Sequence, residues 1–297
     1  MANTLSACTV AELPEVLAAL DAEFVTTRGR ALSLAVRYPH LFAADQLAHL
    51  YLWRKRNSLL ACAIARPFTW VTAERSWRCA MLGMVYTAPT ARGQGHASRL
   101  LAAVLELLRE SEIDAAVLWS GMTGFYEQRG WQRADDGRFG SLALTAQAPA
   151  AGEPTVPRSP LLTAPLIATA EKIRRSNSVP PIARSPLAWQ CLPLPVERVW
   201  IELSGDAYAL CGQAGSHTYL YEMHGQPANF SALWQHCCRY GSHIHINSPA
   251  ESPSYRWLVQ HTEVTWQPQR LTFWQLFSPP SQRLSFNPWH IPYFDRI

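Results

Sequence analysis

The sequence predicts an α/β protein of mixed, twisted sheets flanked by helices, arranged as two tandem copies of which the second is degenerate. Three observations predict this. The chain has 297 residues, 48% of them hydrophobic and 16% charged, which is enough to bury two cores. Strands and helices alternate in each half, in a similar order. A proline-rich stretch without periodicity, residues 146–160, separates residues 1–145 from residues 161–297 and has the composition of a linker.

The elements of the first half are predicted from the spacing of apolar residues. Spacings of three and four predict helices, and short apolar runs between turn residues predict strands. In chain order we expect helices over Val10–Phe24 and Ala43–Tyr51, strands over Ser58–Ala65, Phe68–Thr72 and Trp77–Thr87, a helix over Ser98–Glu110, a strand over Ala115–Trp119 and a helix over Phe125–Arg129. Residues 77–119 therefore form a strand-helix-strand crossover, whose turn lies at the sheet edge where ligands bind.

The second half repeats this order with weaker signals. We expect a helix over Leu162–Arg175, strands over Val199–Leu203, Tyr208–Gly212 and Thr218–Met223, a helix over Asn229–Tyr240 and a strand over His243–Asn247. No residue identity between the halves supports a duplication strongly, so this prediction depends on the order of elements alone.

The stretch TARGQGHASRLL, residues 90–101, lies at the turn of the predicted crossover. Gly93 and Gly95 leave room for a ligand to approach the backbone, and the N-terminus of the following helix presents unpaired N–H groups to an anion. A ligand-free turn would have much the same sequence. A Walker loop is excluded because no lysine followed by serine or threonine comes after Gly95, and a dinucleotide-binding loop because the third glycine and the later acidic residue are missing.

Two motifs, Arg92-x-x-Gly95-x-Ala97 and FYEQRGW over residues 125–131, together resemble those of the Gcn5-related N-acetyltransferase (GNAT) superfamily. Arg92-x-x-Gly95-x-Ala97 resembles its coenzyme-binding turn, and FYEQRGW, residues 125–131, resembles a segment that these enzymes carry some thirty residues later. The resemblance covers residues 1–145. RYPHLF, residues 37–42, and WSGMTGFYEQRGW are similar to a bacterial subgroup in which a second, non-identical domain of this kind follows the first.

The resemblance implies that acetyl-CoA is the co-substrate. Backbone groups of Val85, Tyr86 and Thr87 would hold the acyl carbonyl and the pantetheine arm. Tyr126 would be the general acid that protonates the departing thiolate, a role that suits a phenol with a pKa of about 10; alternatively, Tyr126 only packs beneath the sheet. The amides that would cradle the coenzyme A pyrophosphate belong to Arg92, Gly93, Gln94, Gly95, His96, Ala97 and Ser98.

The general base is not marked by any spacing. Asp21, Glu23, His40 and Glu74 are all candidates. Acetyltransferases of the enhanced intracellular survival type, which act on aminoglycosides, use the terminal carboxylate of the chain, and the resemblance extends this role to Ile297. The alternative is that the aromatic tail WHIPYFDRI only seals a groove between the domains.

The second half is expected to bind no coenzyme A, because Pro227 removes an amide from its equivalent turn, GQPAN. Suitable zinc ligands occur there, but their spacing matches no zinc motif, so we expect no metal. These residues are His217, His224, His236, Cys237, Cys238, His243 and His245.

The sequence therefore predicts an N-acetyltransferase that moves an acetyl group from acetyl-CoA to a small-molecule or peptide amine by direct attack. The alternatives are a non-catalytic acyl-CoA sensor or pseudoenzyme, and a transferase for longer acyl chains. The formal net charge of +4 is scattered and no apolar run could span a bilayer, so we expect neither nucleic acid nor membrane as a partner. A homo-oligomer is left open. Seven cysteines without framework spacing and no signal segment predict a cytoplasmic protein.

Overall fold

The computed structural model places two mixed sheets, each flanked by helices, as the sequence predicts. It describes residues 3–71, 76–144, 162–177, 182–277 and 290–297. The predicted linker, residues 146–160, and the candidate base Glu74 lie outside these ranges.

The first half supplies the elements up to residue 143, and most predicted elements are confirmed. They are β1 (Thr4–Ala7), α1 (Leu13–Phe24), α2 (Leu34–Arg37), α3 (Pro39–Phe42), β2 (Leu50–Lys55), β3 (Ser58–Val71), β4 (Ser76–Thr87), α4 (His96–Glu110), β5 (Ala115–Trp119), α5 (Thr123–Glu127), β6 (Gln132–Arg133) and β7 (Gly137–Ala143). β5 has the predicted bounds, and α4 begins two residues earlier than predicted.

Two predictions for the first half were wrong. Residues 44–49 form a short 3-10 helix and the next six residues form β2, so there is no α-helix over 43–51. Alternate burial of Leu50 and Leu52 is the strand signal that the helical interpretation missed. The two strands expected on either side of Pro67 are one continuous strand, β3. Pro67 is tolerated because β2 pairs with β3 only as far as Ile64, and no described strand pairs with β3 beyond that point on the same side.

The second half supplies the remaining elements, and all of those predicted from the sequence are confirmed to within a few residues. They are α6 (Ala164–Asn177), β8 (Arg198–Ser204), β9 (Ala207–Ala214), β10 (His217–Gly225), α7 (Phe230–Cys238), β11 (His243–Pro249), α8 (Pro253–His261), β12 (Thr265–Pro268) and β13 (Thr272–Leu276).

The two sheets have the same internal plan. The first has the order β1-β2-β3-β4-β5-β13-β6 and the second β12-β7-β11-β10-β9-β8. Each contains one parallel pair, β4 with β5 and β10 with β11, and α4 or α7 forms the crossover between its strands. The order strand, strand, strand, helix, strand, helix, strand, strand therefore occurs twice along the chain, from β2 to β7 and from β8 to β13.

The last strand of each repeat pairs in the sheet of the other repeat. β13 lies between β5 and β6 in the first sheet, with Thr272 opposite Trp119 and Phe273 opposite Arg133. β7 lies between β11 and β12 in the second sheet, with Phe139 opposite Asn247. The division at residues 146–160 assigns β7 to the first domain and β13 to the second, whereas each pairs in the opposite sheet.

Contacts between the halves also involve the RYPHLF segment. The Arg37 side chain is buried and donates to the carbonyl oxygens of Val196 at 2.7 Å and Leu192 at 3.4 Å. The hydroxyl of Tyr38 accepts from the amide of Leu194 at 3.1 Å. One apolar cluster includes residues from both halves, so the two sheets share a core.

Candidate active site

The candidate site of the first half lies around a bulge in β4. Cys62 of β3 pairs with Tyr86 and Ile64 pairs with Gly83, so β4 carries one more residue than β3 over this interval. Met84 has a φ of 49°, a left-handed backbone conformation that is uncommon for a residue with a side chain. Such bulges reorient backbone groups and occur beside functional sites.

Beyond the bulge, β4 and β5 diverge. They pair only from Cys79 with Ala115 to Met81 with Val117, after which the end of β5 is paired with β13 alone. Val85, Tyr86 and Thr87 therefore belong to the part of β4 that has no described strand on the β5 side. The resemblance assigns these residues to the acyl group and the pantetheine arm. The opening gives an extended ligand access to strand backbone.

The glycine turn leads directly into α4. Gly93 and Gly95 both have a φ of 76°, and α4 begins at His96 with Gly95 as its N-cap. Because the first N–H groups of an α-helix have no acceptor within the helix, the amides of His96, Ala97 and Ser98 are available to an anion. The apolar face of α4 packs on the small side chains of Ala61, Ala63 and Ala65, which fixes this helix end beside β4. The buried residues of that face are Leu100, Leu101, Val104, Leu105 and Leu108.

Positive charge surrounds the turn. Arg129 donates to the hydroxyl of Ser98 at 2.8 Å, and its guanidinium lies 3.8 Å from the centre of the Phe125 ring. A cavity of about 560 Å³ next to the turn is lined in part by Lys55, Gln94, His96 and Arg99. Cationic side chains and helix amides together suit a phosphate-bearing ligand.

The side chain of Arg92 has a structural role. It donates to Glu23 at 2.6 Å and to the carbonyl oxygen of Thr87 at 3.3 Å, and its amide donates to Pro89 at 3.4 Å. Arg92 thus connects α1 to the end of β4. Its ion pair engages the carboxylate of Glu23, one of the candidate bases. A second candidate, Asp21, accepts from the amide of Leu34 at 2.7 Å.

His40 lies in an apolar site. It is buried, its Nδ1 has no hydrogen-bond partner among the described residues, and burial together with the nearby charge of Arg66 lowers its pKa to about 3. The imidazole is therefore neutral at physiological pH.

Tyr126 lies on α5, in an aromatic cluster to which both halves contribute. Its ring centre is 5.0 Å from that of Phe125, 6.0 Å from that of Trp131 and 5.7 Å from that of Phe273, which belongs to β13. Burial raises the pKa of Tyr126, although Arg129 and a hydrogen bond with Ser120 act against this shift. Tyr126 thus packs in the core, as one sequence interpretation expects, and is a neutral phenol at physiological pH, as the other requires.

The carboxyl group of Ile297 lies next to the bulge of β4. A Cβ atom placed on Gly83 would be 2.6 Å from both the carbonyl carbon and the oxygen of Ile297, so Gly83 is the residue that admits this group. No sequence signal connected Gly83 with Ile297, because the contact joins residues more than 200 positions apart.

Buried ion pairs hold the segment that ends at Ile297. Asp295 forms an ion pair with Arg184 at 2.7 Å, and Arg184 also pairs with Glu222. Arg296 donates to Asn247 at 3.2 Å and lies 5.0 Å from the centre of the Trp119 ring. Although burial alone would raise the pKa of Glu222, the guanidinium groups of Arg184 and Arg174 hold it well below its usual value.

Several of the zinc candidates of the second half already have partners. Nδ1 of His217 is 2.8 Å from Nε2 of His245, and His236 faces Glu202 at 3.3 Å. The sulfur of Cys237 is 3.2 Å from that of Cys211.

Another set of three metal-ligating side chains was not found from the sequence. Ligand atoms of Asp135, Asp136 and His290 lie within 4.8 Å of one another. Asp135 already pairs with His290 at 3.0 Å and faces Arg296 at 3.7 Å, so the protein itself compensates the charge of this carboxylate. Within the described part of the chain, no helix is long and apolar enough to cross a membrane.

Comparisons with solved structures find the same architecture. A GCN5-related N-acetyltransferase from Kribbella flavida is 18% identical, with a TM-score of 0.64 over 93% of this chain and 71% of the other. A GCN5-related N-acetyltransferase from Anabaena variabilis is 15% identical, with a TM-score of 0.69 over 93% and 73%. Eis1 from Mycobacterium abscessus is also 15% identical, with a TM-score of 0.60 over 93% and 73%. At these identities the comparisons establish the fold.

Sequence comparison finds a family match within the first half of the chain. No protein with a curated description matches the chain significantly. Residues 6–134 match the family model described as "Acetyltransferase (GNAT) domain". This match spans β2 to β5 with the bulge, the divergent strand pair and the glycine turn, so this segment, rather than the chain as a whole, is identified as a GNAT acetyltransferase domain.

Proposed function

We propose that the protein transfers an acetyl group from acetyl-CoA to an amine of a small molecule or peptide. The observation that carries the proposal is the combination of the β4 bulge, the divergence of β4 from β5 and the glycine turn at the start of α4. Together they form an elongated site with backbone groups at one end and an anion cradle at the other.

Each part of acetyl-CoA has a counterpart in this site. Amides from Arg92 to Ser98 hold the pyrophosphate, with the amide of Arg92 the weakest contributor because it already donates to Pro89. Backbone groups of Val85, Tyr86 and Thr87 hold the pantetheine arm and the acyl carbonyl. Hydrogen bonds to that carbonyl oxygen stabilise the negative charge that develops there during attack.

The reaction proceeds by direct attack. The amine nitrogen forms a bond to the thioester carbon, the C–S bond breaks, and the phenol of Tyr126 donates its proton to the departing thiolate. The attacking nitrogen gives up a proton to the carboxylate of Ile297, which lies beside Gly83 at the bulge. A carboxylate suffices as the base because the nitrogen becomes far more acidic as it bonds to the carbonyl carbon. The products are free coenzyme A and an N-acetylated amine.

The second half takes no acetyl-CoA in this proposal. The short helical turn over Pro227–Asn229 precedes α7 in place of a glycine turn. Gly225 leaves no room for a ligand, because backbone atoms already fill the space beside it. A Cβ placed there would lie 2.2 Å from the carbonyl oxygen of Asp206. Seven free cysteines, six of them buried, support a location in the reducing cytoplasm.

Tyr126→Phe tests the proposed acid. Removing one hydroxyl leaves the aromatic cluster intact, so acetyl-CoA binding by calorimetry stays within about twofold of wild type. Release of coenzyme A thiol over a panel of amines falls by about 100-fold or more, the usual contribution of a positioned acid.

The same experiment distinguishes the proposed function from the other functions that the sequence allows. Binding of acetyl-CoA without turnover on any amine, and indifference to Tyr126→Phe, identify a sensor. Faster turnover with longer acyl-CoAs identifies a different donor. Absence of acetyl-CoA binding contradicts the proposal entirely.

A further inference from the structure

The second half contains a cavity of about 470 Å³ at the position that corresponds to the proposed acetyl-CoA site of the first half. β10 and β11 pair from His217 with His243 to Leu220 with Ile246 and then diverge, β10 continuing with β9 and β11 with β7. The cavity lies in this divergence. β10 also carries one extra residue between Leu220 and Glu222, as β4 does at its own bulge.

The cavity has an apolar body. Trp70 of β3 lines it, together with Met223, Phe230, Ile246, Leu258 and Pro292. A space of this volume with aromatic and aliphatic walls falls in the range of small-molecule sites.

Two histidine rings in its wall have nitrogens without a hydrogen-bond partner among the described residues. His290 lines the cavity, and its side chain is only 2% exposed. Its Nδ1 lies 3.0 Å from Asp135, and its Nε2 has no hydrogen-bond partner among the described residues. Because Nδ1 donates its hydrogen bond to Asp135, Nε2 has a free lone pair and can accept a hydrogen bond from a ligand. The ring of His224, also in the wall, has no hydrogen-bond partner in the described part of the chain either.

Four charged side chains line the cavity, those of Asp136, Arg174, Glu222 and Glu251, and Glu251 already faces Arg256 at 3.9 Å. Arg174 is satisfied by Glu171 at 3.2 Å and by the carbonyl oxygen of Ile182 at 2.9 Å. Glu222 is saturated by Arg184 and by the hydroxyl of Tyr208 at 2.8 Å. Asp136 is exposed, and its carboxylate accepts hydrogen bonds from the backbone but forms no ion pair with any described residue. An unpaired carboxylate beside an orphaned acceptor favours a cationic ligand that can donate hydrogen bonds.

We propose that this cavity binds a small organic cation, an amine carried on an apolar body. The site is separate from the proposed transfer centre. Trp70 lies six residues along β3 from Ile64, the partner of Gly83, which is about 20 Å at the usual rise of a strand. The inference therefore goes beyond the proposed function and does not depend on it.

Three indoles that differ in charge test the proposal on the full-length protein without acetyl-CoA. Tryptamine is the cation, 3-methylindole the neutral form and indole-3-acetate the anion. Calorimetric titration is expected to give a Kd for tryptamine at least tenfold lower than for either of the others. Equal affinities, preference for the anion, or no binding of tryptamine up to millimolar concentration would overturn the proposal.

Hydrogen exchange locates the bound amine. Protection by tryptamine is expected in residues 221–225 and 247–254. Protection confined to residues 82–98 would mean that the amine binds at the transfer centre instead, and would overturn the proposal.

Asp136→Asn tests the charge assignment, with Asp45→Asn in the first half as the matched control. The first variant is expected to weaken tryptamine binding at least tenfold and the second to leave it unchanged. Equal binding by Asp136→Asn and wild type would overturn the assignment. The comparison of the three indoles on wild type decides the proposal even if Asp136→Asn fails to fold.

Discussion

Individual residues decide where the reactive groups of the candidate site lie. Gly83 has no side chain, and the space that a Cβ would fill contains the carboxyl group of Ile297. Met84 next to it has the left-handed backbone that marks the bulge. Gly93 and Gly95 adopt a φ that costs a residue with a side chain about 1–2 kcal/mol, which explains two of the glycines in the turn before α4.

The proposed role of the Ile297 carboxylate as the base can be tested by a change that removes its charge and alters almost nothing else. A chain whose last residue is ligated as the carboxamide keeps its size and packing but loses the basic oxygen. We expect kcat for acetyl transfer to fall at least tenfold, since a positioned base contributes about 10²–10⁴, while acetyl-CoA binding is unchanged. The matched control is the ligated chain with the free acid. Equal kcat values for the two chains would mean that the tail only seals the groove between the halves.

The sequence placed some residues of the site and missed others. The position of Tyr126 on a helix after β5 follows from a local motif, and the structure confirms that helix. The contact of Gly83 with Ile297 and the packing of Phe273 on Tyr126 join distant parts of the chain. No local pattern encodes such contacts.

At the scale of elements, local signals explain what could be predicted. α4 and β5 were predicted because a helix with one apolar face and a fully buried strand have distinct patterns. β1, β6 and β12 were missed because they are two to four residues long. β7 and β13 were missed because their partners belong to the other repeat, so their pairing depends on contacts that are remote in sequence.

The segment over residues 290–297 is an element without regular hydrogen bonding, held by buried charges. Arg184→Met would leave Glu222 and Asp295 without their shared partner, and we expect a loss of about 3–5 kcal/mol in the free energy of unfolding. The exposed pair of Arg256 with Glu251, at 3.9 Å, provides the control, and Arg256→Met should cost less than about 1 kcal/mol. Urea titration at pH 7 measures both. A loss no larger than that of the control would contradict this account of the segment.

The same network predicts the direction of a pH effect. The folded-state pKa of Glu222 is lowered, so its contribution to stability is present above its unfolded pKa of about 4.3 and is lost as pH falls below that value. The difference in free energy of unfolding between wild type and Arg184→Met, measured by urea titration, should therefore become smaller from pH 5 to pH 3.

At the scale of the whole molecule, the exchange of last strands makes the halves interdependent. Residues 1–145 alone would lack β13, leaving the end of β5 unpaired and β7 without the strands on either side of it. The apolar cluster that spans both halves adds to this dependence. The order of strands and the shared core together imply one cooperative unit.

Cooperative unfolding tests this implication. We expect a single transition in urea, with coincident midpoints by circular dichroism and by tryptophan fluorescence, and no folded state for a chain of residues 1–145. Two separated transitions, or a stable first half on its own, would show that the exchanged strands do not couple the repeats.

The proposed function requires one acetyl-CoA site in the first half of the chain and none in the second. Titration of the full chain with acetyl-CoA, followed by hydrogen exchange of the complex, tests this most directly. We predict one molecule bound per chain, with protection in residues 82–87 and 92–98. No binding, two molecules per chain, or protection confined to residues 221–230 would contradict it.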